Sequence, residues 1–206
     1  MRIRRYQPGD YDAVSRICLL TAAAGGDASG RYSDDELMPE LWARPYLAFA
    51  PDWAWVVDED GAVGGYILAA PDTRAFVDWY RTEWVPRLAG RYPVATTAAA
   101  DRAMLALGLH PERMLVAEVD EYPAHLHIDL LPALQGRGLG RELVGTLTAA
   151  LRSVGVPRVH LGLDPANAGA LAFYHRLGFA ELLSSTPDEP LLGLTLPLHT
   201  PTGSPL

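Results

Sequence analysis

Hydrophobic and polar positions divide the chain into alternating strand-like and helix-like segments. Residues 2–6 read as a short strand, broken by Gln7-Pro8-Gly9. Asp10 is placed to cap a following helix, where Val14, Ile17, Cys18 and Thr21 recur at helical spacing. Residues 22–35 are small and polar and predict a mobile loop; a second helix is expected within 36–43. The β-rich runs 53–57 and 63–70 flank Asp58-Glu59-Asp60-Gly61, which is turn chemistry, so they predict an antiparallel hairpin. Phe76, Trp79, Tyr80 and Trp84 mark an aromatic helix over 73–88 that Pro86 should end early. The mixed stretch 89–121 holds one expected helix, at 98–107.

The last third is more regular. Residues 125–131 predict a strand, followed by Pro132, a glycine-rich turn and a helix over 138–154. In that helix Leu139, Leu143, Leu147 and Leu151 form one apolar stripe. Another strand is expected at 158–163. A helix over 167–177 follows, with Gly178 as its C-terminal cap. Residues 179–183 and 191–198 predict the final strands, and 199–206 a disordered tail. No internal repeat is visible. Strands interleaved with helices imply an α/β or α+β sheet with helices on both faces.

Composition narrows the partners. The 206 residues favour a single domain, and 49% are apolar, enough for a sizeable core. Seventeen Lys and Arg against 25 Asp and Glu give a net charge of −8, which argues against nonspecific nucleic-acid binding and is compatible with a cationic partner. The single cysteine, Cys18, cannot close an internal disulfide. It shares a helix face with Val14 and Ile17, which predicts a buried structural thiol rather than a nucleophile. No apolar run approaches membrane-spanning length, and the start MRIRRYQ lacks a signal-peptide core, so a soluble cytoplasmic protein without membrane contact is expected.

The turn Gln135-Gly136-Arg137-Gly138-Leu139-Gly140 joins a buried strand to a helix start. Its glycines let the backbone approach a ligand and adopt positive φ, so successive N–H groups can converge at the positive end of the helix. Such a concavity suits a pyrophosphate; a plain tight turn is the alternative. A dinucleotide fingerprint fails because position 141 is Arg141, and a phosphate-binding P-loop fails because Gly-Lys-Ser/Thr is absent.

Gln135-x-x-Gly138-x-Gly140 after a strand resembles the coenzyme A loop of the GNAT N-acetyltransferases. A second block, Asn167-Ala168-Gly169-Ala170-Leu171-Ala172-Phe173-Tyr174-His175-Arg176-Leu177-Gly178-Phe179, resembles that family's Asn-x-x-Ala-x-x-Phe-Tyr-x-x-x-Gly-Phe segment. Residues 122–183 carry the likeness well. Ile3-Arg4-Arg5-Tyr6, Ile17-Cys18, Pro45-Tyr46-Leu47, Gly65-Tyr66, Trp84-Val85-Pro86-Arg87 and Tyr92-Pro93 further resemble the acetyltransferase-like domain of protein O-GlcNAcases and free-standing bacterial relatives. The O-GlcNAcase version departs from the coenzyme loop; this chain keeps it.

The resemblance implies a GNAT fold over 1–198. It has about seven strands in a mixed, mostly antiparallel sheet, splayed between strands 4 and 5, with a helical insertion at 71–121. It implies acetyl-CoA as co-substrate, an unidentified amine acceptor, no metal, and a monomer or homodimer. Carried over to this sequence, it places the pantetheine arm on the backbone of Leu130 and Leu131. The pyrophosphate falls on the amides of Gly136, Arg137, Gly138, Leu139 and Gly140. Gln135 adds a side-chain donor, and Arg137 and Arg141 offset charge. Asn167 caps its helix and contacts pantetheine, and Tyr174 protonates the leaving thiolate.

Strand alternation sets His125, His127 and Asp129 on one face, with Glu118, Asp120 and Glu121 just before them. The glutamate that serves some GNAT enzymes as base has no counterpart near Ala124–His125, so Asp129 and His127 become the candidate bases. The loop 25–35 and Trp79, Tyr80 and Trp84 are expected to wall the acceptor side, unless those aromatics are simply core. Two functions remain open: an active N-acetyltransferase, or a non-catalytic acetyl-CoA binder acting as sensor or interaction module.

Overall fold

The computed structural model describes residues 1–93 and 98–196. The expected tail and the end of the last predicted strand lie outside them. In chain order the elements are β1 (Arg2–Arg5), α1 (Tyr11–Thr21), α2 (Leu37–Trp42), α3 (Arg44–Phe49), β2 (Ala54–Glu59), β3 (Ala62–Ala70) and α4 (Thr73–Trp79). Then come α5 (Val85–Arg91), α6 (Ala99–Leu109), β4 (Ala124–Leu130), α7 (Leu139–Ser153), β5 (Arg158–Gly162), α8 (Ala168–Arg176), β6 (Ala180–Glu181) and β7 (Leu191–Thr195).

The seven strands form one sheet in the order β1-β2-β3-β4-β5-β7-β6, antiparallel except at β4–β5. The β2–β3 hairpin turns at Asp60 and Gly61, both at positive φ. Period-two alternation sorts the side chains onto two faces. Tyr66 and Leu68 of β3 join α1–α6 in one core, while Ile67 and Ala69 join α7 and α8 in the other. The leucine stripe of α7 behaves as its spacing predicts: Leu143, Leu147 and Leu151 are fully buried in the second core.

Several local expectations are corrected. Asp10 precedes α1 but does not cap it, because its carboxylate is taken by the Arg4 guanidinium and the Gln7 N–H. The helix α3 was not expected. The aromatic helix also does not stop at Pro86. A π-helical run, Tyr80–Trp84, joins α4 to α5, and Pro86 falls in the first turn of α5, where a missing N–H leaves no helical bond broken. The Thr82 hydroxyl donates within the same stretch, to the Asp78 and Trp79 carbonyls. The loop after α1 has tethers: Ser33 donates to Asp101, and Asp34 accepts from Arg91 and Tyr92.

Two packing choices position the site. Gly65 lies opposite Leu130, and a Cβ there would come 2.2 Å from a Leu130 methyl. A Cβ on Gly64 would meet Leu134 at 2.6 Å. Absent side chains at 64 and 65 therefore let the end of β4 and the following turn settle on the sheet.

Candidate active site

Parallel pairing between β4 and β5 lasts for only two residue pairs, Ala124–Val159 and His125–His160, after which the strands part. The Leu131 N–H donates to the Gly64 carbonyl at 3.0 Å. In an antiparallel ladder main-chain groups alternate sides, so odd-numbered residues of β4 face β3 and even-numbered ones face the gap. The free groups on that edge are therefore the main-chain N–H and C=O of Ile128 and the N–H of Leu130. Leu131, expected to share that edge, is withdrawn from it. Gln135 is also used differently from expectation: its side-chain N–H donates to the Leu130 carbonyl at 3.0 Å, tying the turn to the strand end.

Gly136 and Gly138 adopt φ of +71° and +83°, and a Cβ on either would meet nothing within 4 Å. The concave side of the turn is open space that a ligand can fill. The first amide to close a bond in α7 is that of Glu142, to the Gly138 carbonyl. The N–H groups of Leu139, Gly140 and Arg141 stay outside the helical ladder and define its positive end. Gly140 has a second duty, since a Cβ there would lie 3.0 Å from the Phe173 ring; its absence seats α8 against the start of α7. Asn167 caps α8, accepting from the Ala170 N–H at 3.0 Å.

These groups surround a cavity of about 530 Å³. A second cavity of about 450 Å³ adjoins it, and Thr21, Ile128, Asp129, Asn167 and Tyr174 line both. Tyr174 is 7% exposed and packs edge-on against Phe173 and Phe179. Burial, and after it the negative charge of Asp129, pushes its phenol above the ordinary tyrosine range.

Asp129 and His127 sit at the junction on the face opposite Ile128 and Leu130. The His127 Nε2 lies 3.6 Å from the Asp129 carboxylate. The Tyr66 hydroxyl donates to the same carboxylate at 2.5 Å and lies 3.3 Å from His127 Nδ1. Desolvation raises the Asp129 pKa above the usual carboxylate range. Tyr66 was not anticipated as part of this group. Its position in a β-rich run was visible, but its place opposite Asp129 depends on the β3–β4 register.

The carboxylates ahead of β4 are committed elsewhere: Glu118 accepts from Ser184, Asp120 pairs with Arg74, and Glu121 pairs with Arg158. His125 lines the second cavity but is enclosed. The Thr73 hydroxyl donates to the Pro123 carbonyl, so the His125 Nδ1–H is assigned as donor to Thr73. Its Nε2 then carries a buried lone pair with no partner among the described residues.

Trp79, Tyr80 and Trp84 do not wall this space. They pack in the first core, where the Trp84 indole N–H donates to the Glu40 carbonyl. The second cavity is lined instead by Trp42, Tyr46, Met104, Arg113 and Met114, with Gly25 from the loop after α1. The loop was expected on this side; the others come from α2, α3, α6 and the 3-10 turn Pro111–Met114, four elements that only the tertiary fold assembles.

The profile of the acetyltransferase (GNAT) family matches residues 27–179. The chain belongs to the GNAT acetyltransferase family. A solved structure of SsHAT is 44% identical, with a TM-score of 0.88 over 95% of this chain and 98% of that one. Protein O-GlcNAcase of Rattus norvegicus is 21% identical over 184 residues, which are 87% of this chain and 20% of that protein. The chain thus spans about a fifth of that curated relative. YncA of Salmonella typhimurium, a putative acetyltransferase solved with its cofactor acetyl-CoA, shares the fold at 21% identity and a TM-score of 0.52 over 98% of both chains. The seven-strand sheet with its parallel β4–β5 pair is the GNAT fold expected from the sequence. Among the described residues no helix is long and apolar enough to cross a membrane, and no group of three or more His, Cys, Asp or Glu could hold a metal ion.

Burial makes this GNAT site sensitive to acid. His125 and His160 are both held below the ordinary histidine pKa, chiefly by desolvation. The unfolded chain therefore takes up protons first as pH falls through about 6.5, and stability present above that value is lost below it. The slope approaches about 1.4 kcal/mol per pH unit for each histidine. Urea midpoints measured from pH 7 to pH 5 should fall, and His160→Gln should flatten the decline. An unchanged slope in that variant removes His160 as a cause.

Proposed function

We propose that the protein is an acetyl-CoA-dependent N-acetyltransferase that moves the acetyl group directly onto an amine of a small molecule or protein. The observation that carries this reading is one cleft in which the parted β4–β5 edge, the amide-rich turn before α7, and Tyr174 meet Asp129 and His127 at the mouth of a second cavity. The turn 136–140 and the start of α7 receive the pyrophosphate, with Arg137 and Arg141 offsetting its charge. The backbone of Ile128 and Leu130 pairs with the pantetheine amides, and a main-chain N–H there polarises the thioester carbonyl. Asn167, on the cleft wall, contacts the pantetheine arm.

An alkylammonium, with a pKa near ~10, must lose a proton before it attacks. The raised pKa of Asp129 makes it a better proton acceptor than an ordinary carboxylate, and His127 beside it can relay the proton onward. As the C–N bond forms and the C–S bond breaks, the buried Tyr174 phenol gives its proton to the departing sulfur. Cys18 supports direct attack over a covalent acyl-enzyme, because burial pushes its thiol well above the reactive range.

Thiol release from acetyl-CoA with an amine panel tests the reading. Asp129→Asn should lower kcat/KM by about 100-fold while acetyl-CoA affinity holds. Normal turnover in that variant excludes Asp129 as base. Tight acetyl-CoA binding by the wild type with no acceptor-dependent thiol release favours a non-catalytic binder instead.

A further inference from the structure

The second cavity is lined by a cation with no hydrogen-bonded carboxylate among the described residues. Arg113 lies in the 3-10 turn Pro111–Met114, its guanidinium stacked 4.6 Å from the centre of the Trp42 ring. Its Nε–H donates to the Leu107 carbonyl at 2.9 Å. Those two contacts fix the plane of the guanidinium but leave both Nη groups without a protein hydrogen-bond partner among the described residues. Asp129, Asp164 and Glu189 also line the cavity; none makes a close ion pair with Arg113, although the charge of Glu189 reaches it. Arg4 and Arg81 are raised in pKa chiefly by hydrogen-bonded carboxylates, whereas Arg113, exposed to the cavity, is lowered by desolvation against the opposing charges of Tyr46, Tyr80 and Glu189. A protein of net charge −8 has ample acid to bond an arginine directly, yet none is hydrogen-bonded to Arg113.

Trp42 links this cation to the proposed base. One side of its ring carries Arg113, and the His127 ring centre lies 6.4 Å away. The same cavity is therefore lined by a planar, two-pronged cation and by the Asp129–His127 pair. A planar guanidinium with two free Nη groups matches the oxygens of an anionic oxyacid in a bidentate fork.

We infer that the acceptor is an amine that also carries an anionic oxyacid group, a carboxylate or a phosphate. Arg113 holds the anion while the amine reaches Asp129 and the thioester. This rests on the acetyltransferase reading and specifies its substrate class.

The test uses matched amines on the full chain. Glycine, β-alanine, 4-aminobutyrate and 2-aminoethylphosphonate are compared with the uncharged amides or alkylamines of equal length. Thiol release is followed in the wild type, in Arg113→Met, which keeps an apolar stem on Trp42, and in Arg113→Lys. The anionic members should exceed their neutral partners by at least about tenfold in kcat/KM, mainly through KM. In Arg113→Met the ratio should fall close to one, with Arg113→Lys between.

Equal kcat/KM for anionic and neutral amines in the wild type overturns the inference, as does a preference that survives in Arg113→Met. If no amine reacts, calorimetry with coenzyme A and the N-acetylated products gives a separate answer. Preferential binding of the anionic products, lost in Arg113→Met, keeps the inference and removes the catalytic reading. Binding without preference for charge overturns it.

Discussion

Gly138→Asp should weaken acetyl-CoA binding by about 100-fold or more while leaving the fold in place. Gly138 ends the turn at φ +83° and precedes the first residue of α7. A Cβ built there meets no protein atom within 4 Å, so the protein itself has room for the new side chain. Positive φ carries some strain, which aspartate tolerates better than most residues. The space it enters is where the diphosphate must sit. A carboxylate about 4 Å from one phosphate charge is unfavourable by ~4 kcal/mol at an effective dielectric of 20. Screening reduces that, so a loss of affinity of about 100-fold or more is expected. Titration of acetyl-CoA into both proteins, with circular dichroism confirming the fold, decides the matter. Equal affinity means that the open face of this turn is not the pyrophosphate site.

What the sequence discloses here is local main-chain chemistry. Glycines at 136, 138 and 140 announce a turn with converging amides whatever surrounds it, and Asn167 and Gly178 mark the ends of α8 by capping rules that act within a few residues. The stripe of Leu139, Leu143, Leu147 and Leu151 likewise follows from helical periodicity alone. The residues that escaped notice depend on relations between distant segments. Leu131 reads as part of the free edge until its amide is seen to bond Gly64; the side a strand's N–H faces is a property of pairing register, not of the strand. Tyr66 joins Asp129 for the same reason. Trp42, Tyr46 and Arg113 come from the turn-rich first half and the insertion, where weak periodicity hides which face looks inward. Conversely, Trp79, Tyr80 and Trp84 look like a recognition surface only because aromatic residues serve cores and binding walls equally well. The π-helical run before Pro86 is a further case: proline reads as a helix breaker, and only a local change in the hydrogen-bond ladder converts it into a helix start.

Tyr174→Phe separates positioning from chemistry at the other end of the cleft. The ring is buried between Phe173 and Phe179 in the second core, so phenylalanine keeps nearly all of the packing and acetyl-CoA should bind with its affinity little changed. What disappears is one O–H. A departing thiolate has a pKa near the ordinary thiol value of ~8.5, and proton donation to a leaving group contributes typically 10²–10⁴-fold. Burial and the nearby Asp129 charge both disfavour the phenolate, so Tyr174 stays protonated across the whole neutral range and remains a competent donor there. The expected result is a fall in kcat of about 100-fold. The loss should shrink when the acyl donor carries a more acidic thiol, since a better leaving group needs the proton less. A structural role for the hydroxyl would instead lower Tm and weaken binding alike for every donor. Equal kcat in the two proteins removes Tyr174 from proton transfer. The departing sulfur would then have to be protonated by water, or by the proton that Asp129 takes from the amine.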